Sequence, residues 1–129
     1  MVEQKRSALY WAPRILGIAS ALFLAMFALD VFAEGYTFGQ LLIALFMHLI
    51  PSFMILLFLV VAWRWERIGG ILFLLLGVFY IWFFWHPSRW LSYLVISGPL
   101  FLTGILFLLN NWVTRGKQTV QDQGTDQVV

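Results

Sequence analysis

The feature that most constrains this chain is a set of four long apolar runs separated by short polar breaks. A helix needs about 20 mostly apolar residues to cross the hydrocarbon core of a bilayer. The sequence supplies such stretches at about 13–33, 38–63, 67–86 and 90–112. Each is apolar on every face rather than along one stripe, as expected for helices surrounded by lipid or by other helices. Membrane β-strands alternate apolar and polar residues over about 10 positions, and these runs are too long and too uniform for that. Of the 129 residues, 62% are hydrophobic and 11% charged, against about 25% charged in soluble domains. A water-soluble chain of this size could not hide so much apolar surface. The expected architecture is an all-α, four-helix transmembrane bundle with up-down-up-down order, because the breaks are too short to join anything but antiparallel neighbours.

Charge placement sets the expected orientation. Lys5, Arg6, Arg14, Arg64, Arg67, Arg115 and Lys117 fall on one side of such a bundle, and only Arg89 falls on the other. Basic residues favour the cytoplasmic side, so both termini and the middle loop are expected to face the cytoplasm across the cell membrane. Tyr10, Trp11, Trp63, Trp65 and Trp112 would mark the inner interface, and Tyr36, Trp82, Trp85 and Trp90 the outer one. Pro13 suits a first helical turn. Residues 1–12 read as a cytoplasmic N-terminal segment, and 113–129 as a polar, disordered cytoplasmic tail. Lys5-Arg6 and Val31-Phe32-Ala33 resemble the ends of a signal peptide. Asp30 just before the would-be cut and the long apolar stretch favour an uncleaved helix.

Few polar residues interrupt the runs. His48 falls near the bilayer midplane at helical rise, with Pro51 one turn on and Ser52 four residues away. Ionisable groups at that depth usually face the bundle interior. His48, Ser52 and Thr103 therefore form a candidate polar site, either a proton or ligand contact or a neutral histidine bonded to a neighbouring helix. Asp30 and Glu34, spaced to share a helical face, join His86 and Arg89 in a second candidate site at the outer end. There the bland reading is an ion pair to Arg89 that pins the two hairpins together. Arg14, Trp63, Arg64, Trp65 and Arg67 are expected to contact lipid headgroups. Gly17, Ala21 and Ala25, then Gly70 with Gly77, and Ser97 with Gly104, form small-residue faces of the kind that let helices approach closely in lipid.

Enzyme signatures are missing. No Gly-rich phosphate loop, nucleophile elbow or zinc-protease motif occurs, and the chain has no cysteine. His48 and His86 differ in depth by about 10–15 Å at helical rise, too far to share a metal, so no cofactor, metal or nucleic-acid partner is expected.

Four stretches carry a resemblance: Phe27-Ala28-Leu29-Asp30-Val31-Phe32, His48-Leu49-Ile50-Pro51-Ser52-Phe53, Trp63-Arg64-Trp65-Glu66-Arg67-Ile68-Gly69-Gly70, and Ile96-Ser97-Gly98-Pro99-Leu100-Phe101. On these the chain resembles a family of small, uncharacterised four-helix membrane proteins of bacteria and archaea, classed as a domain of unknown function. The resemblance implies the fold and no activity. The functional expectation is a structural or accessory membrane component that associates with itself or with a larger complex through its small-residue faces. The alternative is a small-solute or proton transporter or channel built on His48.

Overall fold

The computed structural model describes residues 8–127. Helix α1 (Ala8–Met26) runs into a 3₁₀ segment (Phe27–Ala33), followed by α2 (Phe38–Arg64), α3 (Glu66–Phe83), a 3₁₀ turn (Pro87–Arg89) and α4 (Trp90–Asp126). With its 3₁₀ extension α1 is long and apolar enough to cross a membrane, and so are α2, α3 and α4. Contacts between neighbours step down one helix as they step up the next. Phe58 meets Phe73 and Ala62 abuts Gly69 across α2 and α3. Glu66 meets Asn110 and Gly77 meets Ser97 across α3 and α4. Successive helices from α2 to α4 therefore run antiparallel, and α1 packs against both α2 and α4.

The turns are set by particular residues. Gly35 sits at φ 70°, a left-handed conformation that glycine adopts without steric cost. It lets the chain reverse before Thr37, whose N–H and hydroxyl both reach the Gln40 side-chain oxygen at 3.2 and 3.0 Å. Trp65 is the single non-helical residue between α2 and α3. The two helices close so tightly beyond it that a Cβ on Gly69 would run into the side chain and backbone of Ala62.

Seven buried residues, Ala21, Ile55, Leu59, Ala62, Phe73, Leu100 and Phe107, make the core. Phe73 stacks on Phe107 with centroids 5.9 Å apart. The outward faces are covered with large apolar side chains, among them Leu22, Phe46, Val60, Val78 and Leu94. Such a surface would aggregate in water and suits lipid chains. The aromatic belts expected from the sequence lie outward at the two ends: Trp63, Trp65 and Trp112 at one, Trp82, Trp85 and Trp90 at the other.

Small residues do their packing inside the chain. A Cβ on Gly104 would stand 2.7 Å from the Gly70 carbonyl oxygen, so backbone meets backbone between α3 and α4. Gly77 lies under Phe101, and its carbonyl accepts a 3.3 Å hydrogen bond from Ser97. Gly17 is pressed against Leu59. These faces are consequently closed to a partner, contrary to the route of association expected from the sequence.

Two local expectations differ from the structure. Pro13 is not in a first turn, since α1 is already under way at Ala8 and Pro13 is buried within it. The tail is not disordered as far as it is described, because α4 continues to Asp126. Composition read in isolation overlooks that this segment inherits a helix already nucleated upstream. It contains Gln, Lys and Arg, good helix formers, and no proline. The hydroxyls of Thr114, Thr119 and Thr125 bond carbonyls one turn back. Lys5 and Arg6 lie outside the described residues.

Candidate functional site

Arg14 sits one turn inside α1, where a charged side chain must find a partner or leave the apolar layer. It is 1% exposed. Its Nη2 donates to Glu66 Oε1 at 2.7 Å, and its Nη1 donates to the Tyr10 carbonyl. The guanidinium carbon lies 3.6 Å from the centroid of the Tyr10 ring, with Phe107 and Trp63 at 5.5 and 5.7 Å. Aromatic faces stabilise a desolvated cation. The Nε of Arg14 is buried without a hydrogen-bond partner.

Glu66 opens α3, where its negative charge suits the helix N-terminus. Asn110 of α4, also buried, donates its Nδ2 to both carboxylate oxygens at 2.8 Å. The carboxylate is thus held by Arg14 from one side and Asn110 from the other. This triad ties α1, α3 and α4 together at one end of the bundle. Both carboxylate oxygens are engaged, and Arg14 Nε is the triad's buried polar atom without a partner.

Around it opens a cleft of about 1130 Å³, reaching from the α2–α3 elbow to the first turns of α4 beyond Asn110. Among the described residues five cations line it, Arg14, Arg64, Arg67, Arg115 and Lys117, against a single carboxylate, Glu66. Asn111, Thr114, Gln118 and Gln121 add neutral polar groups. Every described cation apart from Arg89 therefore lies at this one end.

The expected sites fare differently. Arg14 was expected at lipid headgroups, yet it is buried and paired with Glu66, because a guanidinium inside α1 is better served by an internal carboxylate than by reaching past its own helix. Trp63, Arg64, Trp65 and Arg67 are exposed at this end. His48, Ser52 and Thr103 do not form one site. His48 is exposed, and its Nδ1 pairs with the Ala44 carbonyl of its own helix at 2.8 Å. No residue from Phe38 to Pro51 is buried, and only Leu41, Ala44, Leu45 and Leu49 are half-buried, so at this level neighbours cover α2 only in part and leave His48 exposed. Thr103 is fully buried and donates to the Pro99 carbonyl at 2.7 Å. Ser52 is buried with its hydroxyl unpaired.

The outer cluster is likewise dispersed. Asp30, Glu34, His86 and Arg89 are all exposed, and among the described residues none forms an ion pair. Asp30 and Glu34 were expected to share a face at α-helical spacing. They lie in and beside a 3₁₀ segment, where residues three apart align and those four apart diverge. His86 instead joins a local staple: its Nδ1 pairs with the Ser88 hydroxyl at 2.9 Å, while the Tyr93 hydroxyl donates to the Phe84 carbonyl at 2.6 Å and accepts from the His86 N–H.

Reading the sequence by individual residues passed over Glu66 and Asn110 as site residues. A signal was present, since Glu66 is the only acidic residue between Glu34 and Asp122 and a cation inside α1 needs a counter-charge. Asn110 had no signal beyond being an amide at the end of an apolar run.

Residues 2–120 match a family described as a domain of unknown function, DUF7670. No curated protein and no solved structure matches the chain.

Proposed function

Since the chain belongs to the DUF7670 family, a domain of unknown function, we propose a role from its own geometry. It is a multi-pass component of the cell membrane with the Arg14–Glu66 end facing the cytoplasm, acting as a structural or accessory protein rather than as an enzyme. The observation that carries this reading is the apolar interior. Phe73 and Phe107 fill its middle. The buried hydroxyls of Ser20, Ser97 and Thr103 each bond a backbone carbonyl, and Ser52 stands alone. A carrier for protons or polar solutes needs polar groups continuous from one face to the other, and these four do not join.

Association with a second copy or a larger membrane complex would use outward apolar faces, since the small-residue faces are occupied within the chain. The outer half of α2 is the barest of these. The competing reading, a carrier built on His48, is weakened by the outward placement of that ring. Two measurements separate them. Purification in mild detergent is expected to retain a stable partner or a defined oligomer, and proteoliposomes of the protein alone are expected to show no pH-driven flux. Flux abolished by His48→Ala would overturn the proposal.

A further inference from the structure

The triad leaves an imbalance at its own doorstep. Among the described residues Glu66 is the only carboxylate lining the cleft, and its oxygens are already engaged by Arg14 and Asn110. Arg64, Arg67, Arg115 and Lys117 are exposed around it and have no ion-pair partner among the described residues. They come from three helices: Arg64 ends α2, Arg67 is the second residue of α3, and Arg115 and Lys117 follow Asn110 on α4. Like charges gathered around one concavity repel each other, and the walls of a cleft focus their field. A counter-anion relieves that repulsion.

We propose that this cleft binds a phosphate-bearing anion, and that its source is an anionic phospholipid of the leaflet on that side. Guanidinium groups on two walls suit a phosphate, which accepts paired N–H donors on neighbouring oxygens. Asn111, Thr114 and Gln118 supply neutral donors for the rest of a polar headgroup. The position also fits a lipid. Trp63 and Trp65 border the cleft and are exposed, and tryptophan prefers the headgroup level. Buried Arg14 forms part of the lining, and its tie to Glu66 fixes α1 and α3, so the cleft is held in shape before any ligand arrives. The choice of a lipid rests on the membrane reading above, while the choice of a phosphate rests on the cleft alone.

Native mass spectrometry of the detergent-purified protein tests this with short-chain phosphatidylglycerol, short-chain phosphatidylcholine and inorganic phosphate as probes. Phosphatidylglycerol is expected to bind at one saturable site, more tightly than phosphatidylcholine. Arg67→Gln/Arg115→Gln, which changes only exposed side chains, is expected to weaken that binding roughly 30-fold, from two basic residues near a charged surface. Arg89→Gln at the opposite end is expected to leave it unchanged. Inorganic phosphate binding as tightly as phosphatidylglycerol, and lost in the same double variant, would overturn the lipid as source while supporting the phosphate site. Equal binding of both lipids, or undiminished binding by the double variant, would overturn the proposal. Neither result bears on flux or co-purification, so the two readings fail separately.

Discussion

Arg14 and Glu66 meet at 2.7 Å across the first and third helices, although 52 residues separate them in the chain. Among the described residues this is the only ion pair. It joins two helices that are not neighbours in sequence, and Asn110 extends the tie to the fourth. Removing one partner of a buried pair strands the other charge, which typically costs about 3–5 kcal/mol. Glu66→Leu should therefore lower thermal stability in detergent sharply, and more than Arg14→Leu, which leaves Glu66 its Asn110 contacts. The double variant Arg14→Leu/Glu66→Leu should be more stable than Glu66→Leu alone. Losses that simply add would show that the two side chains do not act as a pair.

The α3–α4 contact depends on the absence of side chains at Gly70 and Gly104. A methyl at position 104 would stand 2.7 Å from the Gly70 carbonyl oxygen, and overpacking of this kind costs about 1–3 kcal/mol. Gly104→Ala should lower the melting temperature. Gly116→Ala provides the contrast, because nothing lies within 4 Å of a Cβ there. Replacing a helical glycine with alanine contributes up to about 1 kcal/mol, so that variant should be no less stable than the parent.

His48 and Ser52, one turn apart on α2, should respond in opposite senses to their sequence prominence. The His48 ring is exposed and its hydrogen bond is to the Ala44 carbonyl of its own helix, so His48→Leu should change stability by no more than about 0.5 kcal/mol. Ser52 buries a hydroxyl with no partner, and an unsatisfied buried polar group costs about 1–3 kcal/mol. Ser52→Ala should hold or raise the melting temperature. A marked loss in either variant would mean that its side chain has a partner in the membrane.

The end of α4 carries exposed residues whose hydroxyls bond only within the helix. Deleting the chain from 119 onward should lower the helical signal in circular dichroism and leave the melting temperature unchanged. A substantial drop in melting temperature would assign the segment a packing role.

What could be read from the sequence follows from the solvent. Backbone in lipid must close its own hydrogen bonds, so the four runs could be nothing but helices, and short breaks made them antiparallel. The small-residue positions were legible because close approach leaves little choice of side chain. Facing was another matter. His48 and Thr103 are at similar depths by residue counting, yet Thr103 lies beside Gly17 together with Leu59, roughly 16 Å along α2 from His48 at helical rise, and which residues turn inward is a property of four helices together. The Asp30–Glu34 pairing failed because no residue announces that α1 tightens into a 3₁₀ segment after Met26. Arg14 was visible as a charge near an interface, and its partner lies on a helix that spacing alone does not bring to it.

Sidedness is the most direct test of the account, because the chain has no cysteine and single cysteines can be introduced without background. Ser88→Cys, at the turn before α4, and Thr119→Cys, beyond the cleft, should react with a membrane-impermeant maleimide from opposite faces of sealed vesicles. In intact cells Ser88→Cys should label and Thr119→Cys should stay protected until the membrane is opened. Labelling of both from the same side would contradict a fourth helix that crosses the bilayer, and with it the cytoplasmic placement of the Arg14–Glu66 end.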